Sequence, residues 1–137
     1  MKKHLSAWLA AAIMLFMVSC ASSQKSNGSN EADLFKSWRA TGFDTTGAEH
    51  SPTIAFDQAQ NRVSGNGSCN RYSGGYTLTA PDKIAFSPLA STKMACPGLN
   101  VESRYLELLN KANKWSIKDG VLTLSQDGTV LLTFVAE

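Results

Sequence analysis

From Leu34 to the C-terminus, apolar residues recur at a spacing of two in short runs bounded by turn residues, the mark of half-buried strands. Phe35 to Thr41, which contains Trp38, reads as the first strand. Thr53-Ile54-Ala55-Phe56 and Arg62-Val63-Ser64 are two further runs, separated by the polar turn Asp57 to Asn61. Tyr76-Thr77-Leu78-Thr79 leads through Pro81-Asp82 into Lys83-Ile84-Ala85-Phe86, which predicts a hairpin. Near the end, Trp115-Ser116-Ile117, Val121 to Leu124 and Val130 to Val135 predict three more strands. Asp119-Gly120 and Asp127-Gly128 separate them, and Asp-Gly is favoured in tight hairpin turns.

One segment changes period. Val101, Tyr105, Leu108, Leu109 and Ala112 fall at i, i+4, i+7, i+8 and i+11, a single apolar stripe, while Ser103, Glu107 and Lys111 face away. Asn100 stands where a helix N-cap would, its side chain able to accept a free N–H of the first turn. The expected fold is therefore α+β and mostly β. A small curled antiparallel sheet or barrel-like domain carries one helix before a C-terminal three-stranded meander.

Upstream of Leu34 the pattern has a different purpose. Lys2 and Lys3 form a short basic start, and Leu5 to Val18 is almost wholly apolar. That stretch is too short for a membrane span, which needs about 20 apolar residues, but it suits the core of an export signal. Met17-Val18-Ser19-Cys20 then resembles a lipobox, the bacterial site at which a cysteine receives a diacylglyceryl group and becomes the first mature residue. The resulting division is 1–19 lipoprotein signal peptide, 20–33 flexible tether and 34–137 folded domain. The tether, with Ala21 to Asn30 rich in Ser, Asn and Gly, lacks the large apolar side chains needed to offset its ordering entropy. Lipid on Cys20 makes the membrane the first partner, since two or more acyl signals anchor stably. Ala21 after the cysteine is compatible with sorting to the outer membrane, facing the periplasm.

Charge narrows the partners further. The chain carries thirteen Lys and Arg against eleven Asp and Glu. Lys2 and Lys3 leave with the signal, so the mature chain is neutral. The excess positive charge that draws proteins to phosphate backbones is missing, and no nucleic-acid partner is expected.

The most distinctive stretch is Val63-Ser64-Gly65-Asn66-Gly67-Ser68-Cys69-Asn70-Arg71-Tyr72-Ser73-Gly74-Gly75-Tyr76, followed after the hairpin by Leu89-Ala90-Ser91-Thr92-Lys93-Met94-Ala95-Cys96. Together these resemble the META domain, also called the HslJ-like domain, of bacterial envelope lipoproteins. There a strand ending in Gly leads to Cys-Asn-Arg, an aromatic residue and Gly. A Thr-(Arg/Lys)-Met-x-Cys element, a helix and a closing hairpin follow. The resemblance covers Leu34 to Glu137 and implies a small barrel-like β fold with a helix. It also implies a part in heat stress or drug tolerance, and names no reaction.

Within the motifs, Cys69 and Cys96 are the thiols left once Cys20 carries lipid, and an exported protein with two cysteines most simply joins them. Closing a loop of roughly thirty residues would contribute ~3–4 kcal/mol. Two alternatives stay open: a nucleophilic Cys69, which needs a base, and a pair of buried reduced thiols. His50 is the one histidine of the mature chain and sits in a polar loop without a recognisable motif. Asn70 reads as structural, bonding backbone within its turn. Arg71, Tyr72, Thr92 and Lys93 would share a neighbourhood if the cysteines pair, and such a cationic-aromatic patch could bind an acidic group on an envelope protein, lipid or glycan. The glycines do not form a phosphate loop, the serines lack a nucleophile elbow, and the His and Cys spacing does not suggest a metal site. Neither catalysis nor a cofactor is therefore expected. The leading expectation is a non-enzymatic, anchored envelope lipoprotein that supports stress or drug tolerance by binding another component. The alternative is a carrier holding a small hydrophobic ligand inside the barrel, with Phe56, Leu78, Phe86, Trp115, Leu124 and Phe134 either filling the interior or lining a pocket.

Overall fold

The computed structural model describes residues 29–137, so the expected export signal, Cys20 and the expected tether as far as residue 28 lie outside the described residues. A 3-10 turn at Glu31–Leu34 leads into β1 (Ser37–Thr41), β2 (Thr53–Asp57), β3 (Arg62–Asn66), β4 (Arg71–Thr79), β5 (Lys83–Phe86) and β6 (Ala90–Ser91). Helix α1 (Leu99–Lys111) and strands β7 (Lys114–Lys118), β8 (Val121–Gln126) and β9 (Thr129–Ala136) complete the chain.

The antiparallel strands run in the order β3-β2-β1-β9-β8-β7-β5-β4, and β3 pairs with β4 again. Eight strands thus form a closed ring, with β6 carried as a spur on β4. The α+β, mostly β architecture matches the expectation, and closure disposes of the exposed edges an open sheet would present. The seam between β5 and β7 is thin, resting on the Lys83–Lys114 pair and flanking backbone bonds from Ile84 N to Asn113 O and Trp115 N to Asp82 O.

Period-two alternation decides what fills the ring. Trp38, Ile54, Val63, Tyr76, Ile84, Trp115, Leu122, Leu124, Leu132 and Phe134 all turn inward and are buried in one cluster. Phe56 belongs to it, so four of the six residues that could have lined a pocket, Phe56, Trp115, Leu124 and Phe134, fill the interior, while Leu78 and Phe86 are half-buried and pack against it. The Trp38 indole N–H donates to Leu34 O at 2.9 Å, so the buried ring leaves no unpaired polar atom. Helix α1 adds Tyr105 and Leu109 from its apolar face. The meander forms as read: Asp119, Gly120, Asp127 and Gly128 all hold positive φ (51°, 79°, 49° and 90°), as a tight Asp-Gly turn demands.

Four expectations need correction. The folded unit starts before Leu34, because Asn30 caps the 3-10 turn through Ala32 N and Ser29 Oγ accepts from Ile117 N. Consequently the first strand begins at Ser37, after the turn. Strand β4 begins at Arg71, not Tyr76, since Gly74 and Gly75 let it run close past neighbours; a Cβ on Gly74 would lie 2.6 Å from Leu89. The helix starts at Leu99 with Gly98 at the cap position and no side-chain cap, so Asn100 lies inside its first turn.

Candidate functional site

The two sequence motifs meet at one end of the barrel. Between β3 and β4, Gly67–Asn70 makes a tight loop closed by Gly67 N donating to Asn70 O at 2.8 Å, with Ser68 N donating to Asn66 Oδ1 at 2.7 Å. Ser68 sits at φ 99°, outside the regions side chains favour. Its hydroxyl is buried without a hydrogen-bond partner among the described residues. Gly98 presses against it: a Cβ there would lie 2.5 Å from Ser68 Oγ.

Cys69 and Cys96 form a disulfide, their Cα atoms 6.0 Å apart and 27 positions apart in sequence. The sulfur of Cys69 is therefore not a free thiolate, whereas His50, 73% exposed at its side chain, stands 4.0 Å from Glu49. Among the described residues, no three His, Cys, Asp or Glu side chains are grouped to hold a metal ion.

Asn70 is the hub of the knot, and it reaches farther than its own turn. Its Oδ1 accepts from Thr92 Oγ1 and from Met94 N, both at 2.8 Å. Its Nδ2 donates to Met94 O at 3.2 Å and to Glu102 Oε1 at 3.3 Å. The backbone N–H of Asn70 donates to Glu102 Oε2 at 2.6 Å, so one carboxylate braces both ends of the residue. Glu102 is only 5% exposed, in the first turn of α1, where the helix dipole favours a negative charge. Its approach needs Gly67, where a Cβ would come within 2.7 Å of Glu102 Cγ.

The proposed patch is rearranged. Tyr72 is not part of the surface: it is buried, its hydroxyl donating to Thr53 O at 2.8 Å and lying 2.8 Å from Tyr105 Oη. It turns inward because β4 alternates, leaving Arg71 outside. Burial raises the pKa of both tyrosines above the ordinary value, keeping the hydroxyls protonated. Arg71, Thr92 and Lys93 are exposed, and Thr92 N donates to Arg71 O at 3.0 Å, which sets them side by side. Neither cation has a salt-bridge partner among the described residues. Next to Lys93 in the chain the knot displays Met94, 60% exposed although its backbone N and O are both held by Asn70.

With that geometry, similarity to known proteins can be placed. The META domain family matches residues 32–137. The chain belongs to this family. No curated protein matches it. Among solved structures, a protein from Burkholderia xenovorans determined by NMR is similar with TM-score 0.63 and 23% identity, covering 100% of this chain and 99% of that one. A second NMR structure is similar with TM-score 0.55 and 24% identity over 75% of this chain and 90% of that one. The crystal structure of a DUF4847 family protein from Bacteroides vulgatus gives 0.58 and 14% identity over 78% and 96%. At these identities the likeness extends to the fold.

The apolar stripe read along the helix of this META domain, Val101, Tyr105, Leu108, Leu109 and Ala112, left out Glu102, which is buried with it. A signal was present: Glu102, Tyr105 and Leu109 stand at i, i+3 and i+7, one helix face, so a carboxylate was spaced as a buried residue. Ser68 and Gly98 carried no such signal, because their contact joins loops thirty positions apart in sequence.

Proposed function

We propose that the protein is a lipid-anchored envelope protein that binds another envelope component without catalysis, through the surface around the Cys69–Cys96 bridge. One observation carries this reading. A disulfide, a buried Asn70 and a buried Glu102 hold the segment from Thr92 to Cys96 in place, while Arg71, Lys93 and Met94 on and beside it stay exposed. Ordering such a surface in advance lowers the entropy lost on binding. Support for the anchor comes from the sequence around Cys20, and the outer membrane facing the periplasm is the location we assign it. Stress or drug tolerance is the role we assign it, by resemblance within the META domain family. The filled interior weighs against the carrier of a hydrophobic ligand.

The test has two arms. Intact mass of the mature protein should show acyl groups on a chain starting at Cys20, and Cys20→Ala should release it from the membrane fraction. Arg71→Ala with Lys93→Ala should fail to restore stress tolerance in a deletion strain while keeping its folding stability within about 0.5 kcal/mol of wild type. Full restoration by that well-folded variant would refute the reading.

A further inference from the structure

Met94 stands as a ridge between two surface hollows. One, of about 400 Å3, is lined by His50, Cys69 and Cys96. The other, of about 230 Å3, is lined by Thr92, Lys93, Leu99 and Glu102. Met94 and Leu99, on one side of the knot, are two of the three large apolar side chains most exposed among the described residues. Lys93 precedes Met94 in the chain and Arg71 follows Asn70, the residue that holds the Met94 backbone; both cations are exposed and have no ion pairs among the described residues. A flexible thioether on a rigid backbone adapts to an apolar partner side chain, and guanidinium and ammonium groups beside it select carboxylates.

Taking the binding reading above as its basis, we propose that this ridge docks an acidic segment of an envelope protein, with an apolar side chain of that segment seated against Met94 and its carboxylates paired to Arg71 and Lys93. Charge and composition favour a protein over the other candidates. Stable docking on an anionic membrane uses a cluster of about four to eight cations, and the ridge offers two. Sugar rings are commonly held on exposed aromatic faces, yet Tyr72 beside the ridge is buried.

The mature lipidated protein, held in nanodiscs of neutral phosphatidylcholine, would be titrated with a short peptide repeating Glu-Ser-Leu and with its Lys-Ser-Leu counterpart. The expected result is a shift of the Met94 methyl resonance with the Glu peptide alone. Arg71→Gln with Lys93→Gln should weaken that binding about tenfold, and raising salt should weaken it in wild type. Arg71→Glu with Lys93→Glu, checked for an unchanged melting temperature, should switch preference to the Lys peptide. Equal response to both peptides, or no shift at Met94, would overturn the proposal. So would stronger binding to phosphatidylglycerol vesicles than to the Glu peptide. If Arg71→Ala with Lys93→Ala abolishes stress tolerance while the Glu peptide fails to bind, binding through this surface stands and the acidic partner falls.

Discussion

The C-terminal meander and the disulfide knot occupy one small domain and are built on opposite principles. In the meander, β7, β8 and β9 pair with their sequence neighbours, every inward residue is apolar, and both turns are Asp-Gly. The pairings and turns within it are local, and each agrees with the next, while β9 also pairs with β1 to close the ring. The knot joins residues 24 to 32 positions apart through polar atoms: Asn70 to Met94, and Asn70 to Glu102. It holds a buried carboxylate and Ser68, which sits at φ 99° with a hydroxyl that has no hydrogen-bond partner among the described residues. Such costs are usual where a surface must keep one shape and unusual where only a core must be filled.

The sharpest way to break the comparison is to cut the bridge. Cys69→Ser should destabilise the domain by ~3–4 kcal/mol, as should Cys96→Ser, with the double variant costing little more than either. Hydrogen exchange should show the segment around Met94 opening first, while β8 and β9 retain protection set by global unfolding. Equal loss of protection in both regions would mean that the knot also supports the meander.

A smaller effect tests the polar hub. Asn70→Ala and Glu102→Ala should each cost about 1–3 kcal/mol, because each leaves buried partners unpaired. Their double-mutant cycle should show coupling of about 1 kcal/mol or more. Glu107→Ala on the exposed face of the same helix, where the partner is Lys111 at 2.6 Å, should cost less than about 0.5 kcal/mol. Chemical denaturation of the three single variants and the double variant measures both quantities.

A third effect belongs to the meander itself. Gly128→Ala, at φ 90°, should cost about 1–2 kcal/mol through backbone strain alone, since no atom stands within 4 Å of the position its Cβ would take. The resonances of Lys93 and Met94 should not move in this variant. A shift there would show that the two regions are coupled through the barrel wall.

Most of the fold was legible along the chain because strand alternation and turn chemistry act over two to four residues. Trp38, Trp115 and the two Asp-Gly turns stand where that pattern put them. Its misreadings fall where a neighbour distant in sequence intervenes. Gly74 extends β4 because Leu89 lies against it, and Gly98 displaces Asn100 from the helix cap because Ser68 occupies the space a side chain would need. The site was half legible. The two cysteines, Asn70, Arg71 and Lys93 stood out by type and spacing, but their partners did not.

By itself the sequence determined most of the strands, the helix face and the meander, and favoured a bond between Cys69 and Cys96, because period, turn propensity and the count of cysteines need no knowledge of distance. Only the tertiary structure decided that the sheet closes into a ring with a filled interior, that Tyr72 faces inward and Arg71 outward, and that Glu102 braces Asn70. Those outcomes depend on register between strands far apart in sequence, where a shift of one residue would exchange the inner and outer faces.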